Sequence, residues 1–276
     1  HWLPTEIMMQ NDIEQWRAQG FLTDDERKAF KTVLGFFTTA DSIAANNIVI
    51  ALYRHITSPE CRMYLLRQGY EEAIHTHAYQ YIVESLGLDE GEIFNMYREV
   101  DAIYNKASFI LSFNEGIFDP YFKTGTPEAD QKFLENIVIF SLIMEGIFFY
   151  SSFAVIFGFH RQNKMVGSAE QIQYIMRDES QHLNFGINLI NTIKEEQPEL
   201  WSQAFQNRVV RLVREAAKLE YEFAATVFPK GIFGMNADSF KQYIEHIADR
   251  RLARVGLPEQ FGVTNPFPWM SEAVDL

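Results

Sequence analysis

Residues 71–79 read Glu-Glu-Ala-Ile-His-Thr-His-Ala-Tyr. Their spacing predicts a helix with Glu72, His75 and Tyr79 at i, i+3 and i+7, all on one face. A carboxylate and an imidazole one turn apart can grip one metal ion, and a phenol one turn further lies beside it. The spacing returns at Glu179 and His182, in Arg177-Asp-Glu-Ser-Gln-His182. Of the seven histidines, only His75 and His182 have a Glu three places before them. A single Glu-x-x-His is an ordinary surface pair. Two of them make a pattern.

Working outward, Asp41 lies 31 residues before Glu72, and Glu145 lies 34 residues before Glu179. Each falls on the predicted long helix that precedes its Glu-x-x-His helix. The chain is therefore read as a pseudo-repeat in which each half gives a lone acid and then an acid–imidazole pair. Four such helices bring Asp41, Glu72, His75, Glu145, Glu179 and His182 together, as in ferritin-like bundles with a dinuclear metal site in the core. Four buried carboxylates repel one another and take up protons unless cations offset them, and two divalent ions do so. Oxygen ligands with only two imidazoles suit Fe or Mn better than Cu, while Zn stays chemically open.

The rest of the chain fits an all-α fold. Apolar positions recur at three and four rather than alternating, so helix is expected throughout, in one domain over 1–276. Thr23-Asp-Asp-Glu26 is a capping box opening a helix to about residue 55. Ser58-Pro59 starts the next, with Gly87 as its C-cap. A polar helix is expected over 90–105, with loop and short helix over 106–126. Thr126-Pro-Glu-Ala opens the fourth long helix. Its 23 residues from Ile137 to Phe159 carry one charge, Glu145, and are long enough to cross a bilayer. That mid-span carboxylate and Ser141, Ser151 and Ser152 favour the central helix of a soluble bundle, and no membrane is expected. Further helices are expected over 168–195, 199–226 and 237–254, with Asn265-Pro-Phe-Pro-Trp269 irregular and on the surface.

Composition narrows the function. A net charge of −13 argues against a nucleic-acid groove. With 47% hydrophobic residues and 24 Phe the chain can bury a large core. The single cysteine, Cys61, excludes an internal disulfide and a Cys-based zinc site, and fits the cytoplasm. The chain opens at His1, so the natural start is expected to be missing. Two reduced metals with an open position activate dioxygen, and Tyr79 offers them an oxidisable phenol. Helical spacing places Phe149, Phe153 and Ile175 as its apolar wrapping.

With these motifs assembled, the chain resembles the small, radical-generating subunit of class I ribonucleotide reductase. The resemblance rests on Trp2-Leu-Pro-Thr-Glu, Thr-Ala-Asp41-Ser, Glu72-Ala-Ile-His75-Thr-His-Ala-Tyr79, Met-Glu145-Gly-Ile-Phe-Phe149-Tyr, Arg177-Asp178-Glu179-Ser-Gln-His182-Leu and Asn265-Pro-Phe-Pro-Trp-Met-Ser. It implies that Asp41, Glu72 and His75 bind one metal and Glu145, Glu179 and His182 the other, with dioxygen as oxidant. It implies a radical on Tyr79 that travels through Trp2 and Asp178, with Asp178 accepting hydrogen bonds from Trp2 and His75. A large catalytic subunit as partner and a homodimer are implied too. The family's docking tail and its relay tyrosine are absent, the last Tyr being Tyr243, so a C-terminal tail is expected to be missing. Members carry di-iron, di-manganese or mixed manganese–iron sites, and the mixed type typically has Glu at the place of Asp41 and lacks the tyrosine. Asp41 with Tyr79 therefore favours two Fe ions. A dinuclear oxidase or oxygenase with its own substrate is the first alternative, and a ferritin-like store the last.

Overall fold

Capping side chains set the ends of the long helices. The Thr23 hydroxyl accepts from the Glu26 amide at 3.2 Å and the Glu26 carboxylate accepts from the Thr23 amide at 2.9 Å, starting α2 (Asp24–Asn46). In this computed structural model, which describes residues 1–270, α2 runs on through a π-helical segment, Asn47–Leu52. Ser58 caps α3 (Pro59–Leu86), and Gly87, at φ 67°, ends it in the left-handed conformation that glycine adopts without strain. Residues 271–276, which include Ser271 of the C-terminal motif and the end of the domain expected over 1–276, lie outside the described residues.

One predicted element needs correction. The helix expected over 90–105 is two, α4 (Glu90–Glu99) and α5 (Asp101–Ser112), joined at Val100 in an extended conformation. The break lets Ile93 and Met96 bury against α2 while Ile103 and Lys106 bury toward α9 (Gln203–Val227). One straight helix could not do both. Gly35 shows how closely α4 approaches α2, since a Cβ there would lie 2.5 Å from Met96 Sδ. Helix α5 also takes seven residues that were expected to be part loop, leaving 113–126 irregular.

Thr126 caps α6 (Pro127–Ile137), which continues through a π-helical stretch, Val138–Phe148, into α7 (Phe149–His160). Every residue from Ile137 to Phe159 is buried, so this is the central helix. By length and apolarity it and Asp24–Leu52 are both long enough to cross a membrane; 100% and 56% of their apolar windows are buried inside the fold.

Helix α8 (Val166–Glu196) starts against a short helix the sequence reading did not foresee, α1 (Gln10–Arg17). Asp12 of α1 accepts hydrogen bonds from the amides of Gly167 and Ser168 and from the Ser168 hydroxyl, capping α8 from a distance. Helices α9 (Gln203–Val227) and α10 (Ala237–Arg254) complete the bundle. The segment Asn265–Trp269 is less superficial than expected. Phe267 is buried, its ring 5.2 Å from those of both Phe240 and Tyr243.

The result is an all-α, ferritin-like bundle with a carboxylate–histidine cluster in its core. Among the described residues there is no strand, only an isolated bridge between Ile232 and Met235. Asp41 comes from α2, Glu72 and His75 from α3, Glu145 from the π-helical stretch, and Glu179 and His182 from α8.

Candidate metal centre

The six side chains meet in the middle of the bundle, each 1% exposed or less. Ligand atoms of Asp41, Glu72, His75 and Glu179 all lie within 4.8 Å of one another, and so do those of Glu72, Glu145, Glu179 and His182. Glu72 and Glu179 therefore belong to both groups, whereas the sequence reading gave each half its own acids. The two imidazoles face inward with the same nitrogen. His75 Nδ1 is 3.2 Å from Glu179, 3.5 Å from Glu72 and 3.7 Å from Asp41. His182 Nδ1 is 3.4 Å from Glu72, 3.4 Å from Glu179 and 4.0 Å from Glu145.

Hydrogen bonding tests whether cations fit there. Both oxygens of Asp41, Glu72 and Glu179, one of Glu145, and Nδ1 of both histidines are buried without any hydrogen-bond partner. Buried polar atoms are almost always satisfied, and a cluster of nine orphans is costly unless something else binds them. All nine are metal-ligand atoms pointing at a shared space. The donor set fits two metal ions.

The electrostatics agree. Burial, then repulsion among the acids, raises the carboxyl groups of Asp41 and Glu145 well above the usual range and that of Glu72 above it. Burial would raise Glu179 too, but His182 and His75 bring it down to about 2. Burial would lower both histidines, yet the surrounding carboxylates push them up, Asp178, Glu179 and Glu72 for His75, and Glu179, Glu71 and Glu72 for His182. Without cations the site keeps its charge balanced by holding protons.

Tyr79 is fully buried and its hydroxyl has no hydrogen-bond partner. Burial first and the Asp41 charge second raise its pKa well above 10.0. The ring stacked on it is Phe37 of α2, with centroids 5.3 Å apart and planes 5° apart. Phe149 and Phe153 are equally buried but pack on Phe37, at 5.9 and 5.4 Å. Ile175 is fully buried in the same apolar core. Helical spacing could find Phe149 and Phe153, but not Phe37.

Each imidazole turns its other nitrogen to an outer acid. His75 Nε2 lies 3.4 Å from Asp178 Oδ2, which also accepts from Trp2 Nε1 at 2.8 Å. These two bonds hold the Asp178 carboxyl below its usual range, against a burial that would raise it. The Trp2 ring is buried, 5.2 Å from that of Tyr174 and 6.5 Å from that of His75. On the other side, His182 Nε2 lies 2.8 Å from Glu71, and Glu71 accepts from Arg67 Nε at 2.7 Å. Gln68 Nε2 donates to Glu145 at 2.8 Å. Neither Glu71 nor Gln68 was singled out in the sequence. The only signal was Glu71 directly preceding Glu72, as Asp178 directly precedes Glu179.

A family model described as ribonucleotide reductase, small chain, matches residues 1–266. The chain is 52% identical over 276 residues to the ribonucleoside-diphosphate reductase subunit beta of Chlamydia pneumoniae, spanning 100% of this chain and 80% of that one. It superimposes on the ribonucleotide reductase R2 subunit from Clostridium botulinum with a TM-score of 0.90 at 28% identity, over 100% of this chain and 84% of the other. Dimanganese(II)-NrdF of Streptococcus sanguinis shares the fold, with a TM-score of 0.82 at 21% identity over 99% and 91% of the two chains.

Proposed function

This chain belongs to the ribonucleotide reductase small-chain family, and from that premise we propose that its buried centre holds two Fe ions and serves to make a radical on Tyr79. The family places it as the radical-generating subunit of ribonucleoside-diphosphate reductase, with a large catalytic subunit as partner. The observation that carries the finer reading is the set of nine unpartnered ligand atoms converging beside a buried, unpartnered phenol.

In this reading Asp41, Glu72 and His75 hold one ion and Glu145, Glu179 and His182 the other, with Glu72 and Glu179 able to reach both. The bound metals supply oxidising power by activating dioxygen. Tyr79 gives up one electron and its hydroxyl proton, and Asp41, the charge that acts on it most strongly, is placed to take the proton. Phe37 and the phenylalanines behind it exclude water and offer no hydrogen atom to quench the radical. Trp2 is the exit. When Trp2 is oxidised its indole proton can pass along the 2.8 Å bond to Asp178, which stays a carboxylate because its pKa is low. Asp178 also fixes His75 so that Nδ1 faces inward, and Glu71 does the same for His182.

Iron rather than manganese rests on Asp41 occurring together with Tyr79. We also take the chain as one domain, a homodimer and cytoplasmic, with its longest apolar helix in the core rather than across a membrane. One continuous apolar core supports the single domain, and the burial of the longest apolar helix supports its place in that core; the homodimer and the cytoplasm rest on the family resemblance. The test is to load the metal-free protein with Fe(II), admit dioxygen and record the EPR spectrum beside a Mn(II)-loaded sample. A tyrosyl signal is expected with iron and none in Tyr79→Phe. Full iron occupancy with no radical, or a signal that survives in Tyr79→Phe, would overturn the assignment.

A further inference from the structure

Away from the metal centre, α10 carries a largely buried charge, Arg251, with no counter-charge among the described residues. Arg251 is 8% exposed, and the charged or ionisable groups that act on it are two tyrosines and two further arginines, with no acid among them. Its Nε donates to the Gly146 carbonyl at 2.8 Å, and its guanidinium lies over the Tyr150 ring, 4.6 Å from the centroid. The remaining guanidinium N–H groups form no hydrogen bond among the described residues. Burying a cation is tolerated when it is paired, so an unpaired one asks for a partner from outside.

The surroundings point to what that partner is. Arg251 lines a cavity of about 480 Å³ together with Arg250, Arg254 and His246. Three guanidiniums around one space run against the charge of a chain that carries −13 overall. Burial, and then the charges of Arg250 and Arg254, push Arg251 below its ordinary pKa, and burial also lowers His246. Cations crowded in this way are stabilised together by one anion of high charge. Tyr243 adds a hydroxyl to the same wall, while that of Ser180 is taken up by the Met176 carbonyl and Tyr150. Arg forks match a tetrahedral oxyanion through two bonds each, which a singly charged carboxylate cannot satisfy from three sides. The volume lies within the range of small-molecule sites and exceeds what a single phosphate group fills.

We propose that the cavity between α8 and α10 binds a phosphate-bearing anion, a polyphosphate or a phosphate ester, on Arg250, Arg251 and Arg254. The site stands apart from the metal ligands, although Arg251 touches the backbone of Gly146, the residue after Glu145.

The experiment is calorimetric titration of the full, metal-loaded chain with inorganic phosphate, pyrophosphate and a nucleoside triphosphate, at constant ionic strength set with chloride. One saturable site per chain is expected, tighter for pyrophosphate than for phosphate. A nucleoside triphosphate that binds tighter still assigns the site to nucleotides, and one that does not assigns it to the free anion. Arg250 and Arg254 sit on the exposed rim, so the double variant Arg250→Gln with Arg254→Gln should fold and bind about tenfold more weakly or worse. Its metal content and tyrosyl EPR signal should match the parent, which keeps this test separate from that of the metal centre. Arg251→Lys, which keeps the charge and loses the fork, should weaken binding as well. No saturable heat up to about 10 mM ligand, heats that chloride reproduces, or unchanged affinity in the double rim variant would each overturn the proposal.

Discussion

Tyr79→Phe should make the metal-free protein more stable while removing its radical. The usual expectation for a fully buried large side chain is the reverse. Here the hydroxyl is buried and makes no hydrogen bond of good geometry, Asp41 being near enough to act on it but not placed to satisfy it, so the native state bears most of its desolvation. An unsatisfied buried polar group costs about 1–3 kcal/mol. The ring itself loses nothing, because Phe keeps the stack on Phe37 at 5.3 Å and fills the same space. The expected gain is therefore about 1 kcal/mol or more, which for a chain of this size raises the melting temperature by roughly 2–4 °C per kcal/mol. Urea unfolding of the chelator-treated proteins measures it, as a higher midpoint with an unchanged slope. In the iron-loaded pair the same substitution should abolish the tyrosyl EPR signal at equal iron content. A loss of about 1 kcal/mol in the metal-free pair would refute the reasoning, since it would mean that the hydroxyl has a partner after all.

Three further outcomes follow from the same geometry. Glu71→Gln removes the charge that holds His182 Nε2, and should weaken binding of the second metal ion by about 10–100-fold in a metal titration. Lys106→Met leaves Glu220 buried and unpaired, because the two form an ion pair at 2.5 Å with each only 1% exposed; about 3–5 kcal/mol should be lost in urea unfolding, and most of it regained in the double variant with Glu220→Leu. For pH, the groups that matter are Asp41, Glu72, Glu145, His75 and His182, all raised in the folded metal-free chain. A raised folded pKa contributes stability below the unfolded value, and that stability is lost as pH rises through the folded value. The chelated protein should therefore melt at lower temperature as pH increases from about 5 to about 8. Glu179, held down to about 2, acts the other way only in acid, where its contribution is lost as pH falls toward that value. Metal binding displaces the held protons, so affinity should rise over the same pH interval.

Much of this was legible in the sequence because helices convert spacing into geometry. Two Glu-x-x-His pairs and two lone acids on Pro-free spans defined a face and a repeat, and the six side chains do converge. Caps at Thr23, Ser58 and Thr126 gave helix starts to the residue. What escaped is what periodicity cannot carry, namely which face meets which. Phe37 reaches Tyr79 from another helix, Glu71 reaches His182 across 111 residues, and Asp12 caps α8 across 155. The break at Val100 escaped for a related reason. Nothing local forbids a helix there, and the two halves separate because they bury against different neighbours.

The pseudo-repeat also bears on the direction proposed for the radical path. In each half, the acid just before the ligand Glu bonds the histidine of the other half, Asp178 to His75 and Glu71 to His182. In that bond the halves are equivalent, although only the first carries a tyrosine, Tyr79, where the second has Gly186. They differ in what the outer acid meets next. Asp178 accepts from the indole of Trp2, which can be oxidised and is buried away from solvent. Glu71 accepts from the guanidinium of Arg67, which cannot be oxidised and is half exposed. A hole leaving through His182 would meet Glu71 and then the Arg67 guanidinium, which it cannot oxidise, so the exit proposed through His75 lies on the side where the outer acid meets an indole. Arg67→Trp tests this asymmetry. If the outer acid sets only the orientation of the imidazole, a second redox-active indole beside Glu71 changes nothing. If the outer residue decides the exit, the Tyr79 radical should decay faster in that variant, and Arg67→Leu should leave its lifetime unchanged. Equal lifetimes in all three proteins would refute the asymmetry argument.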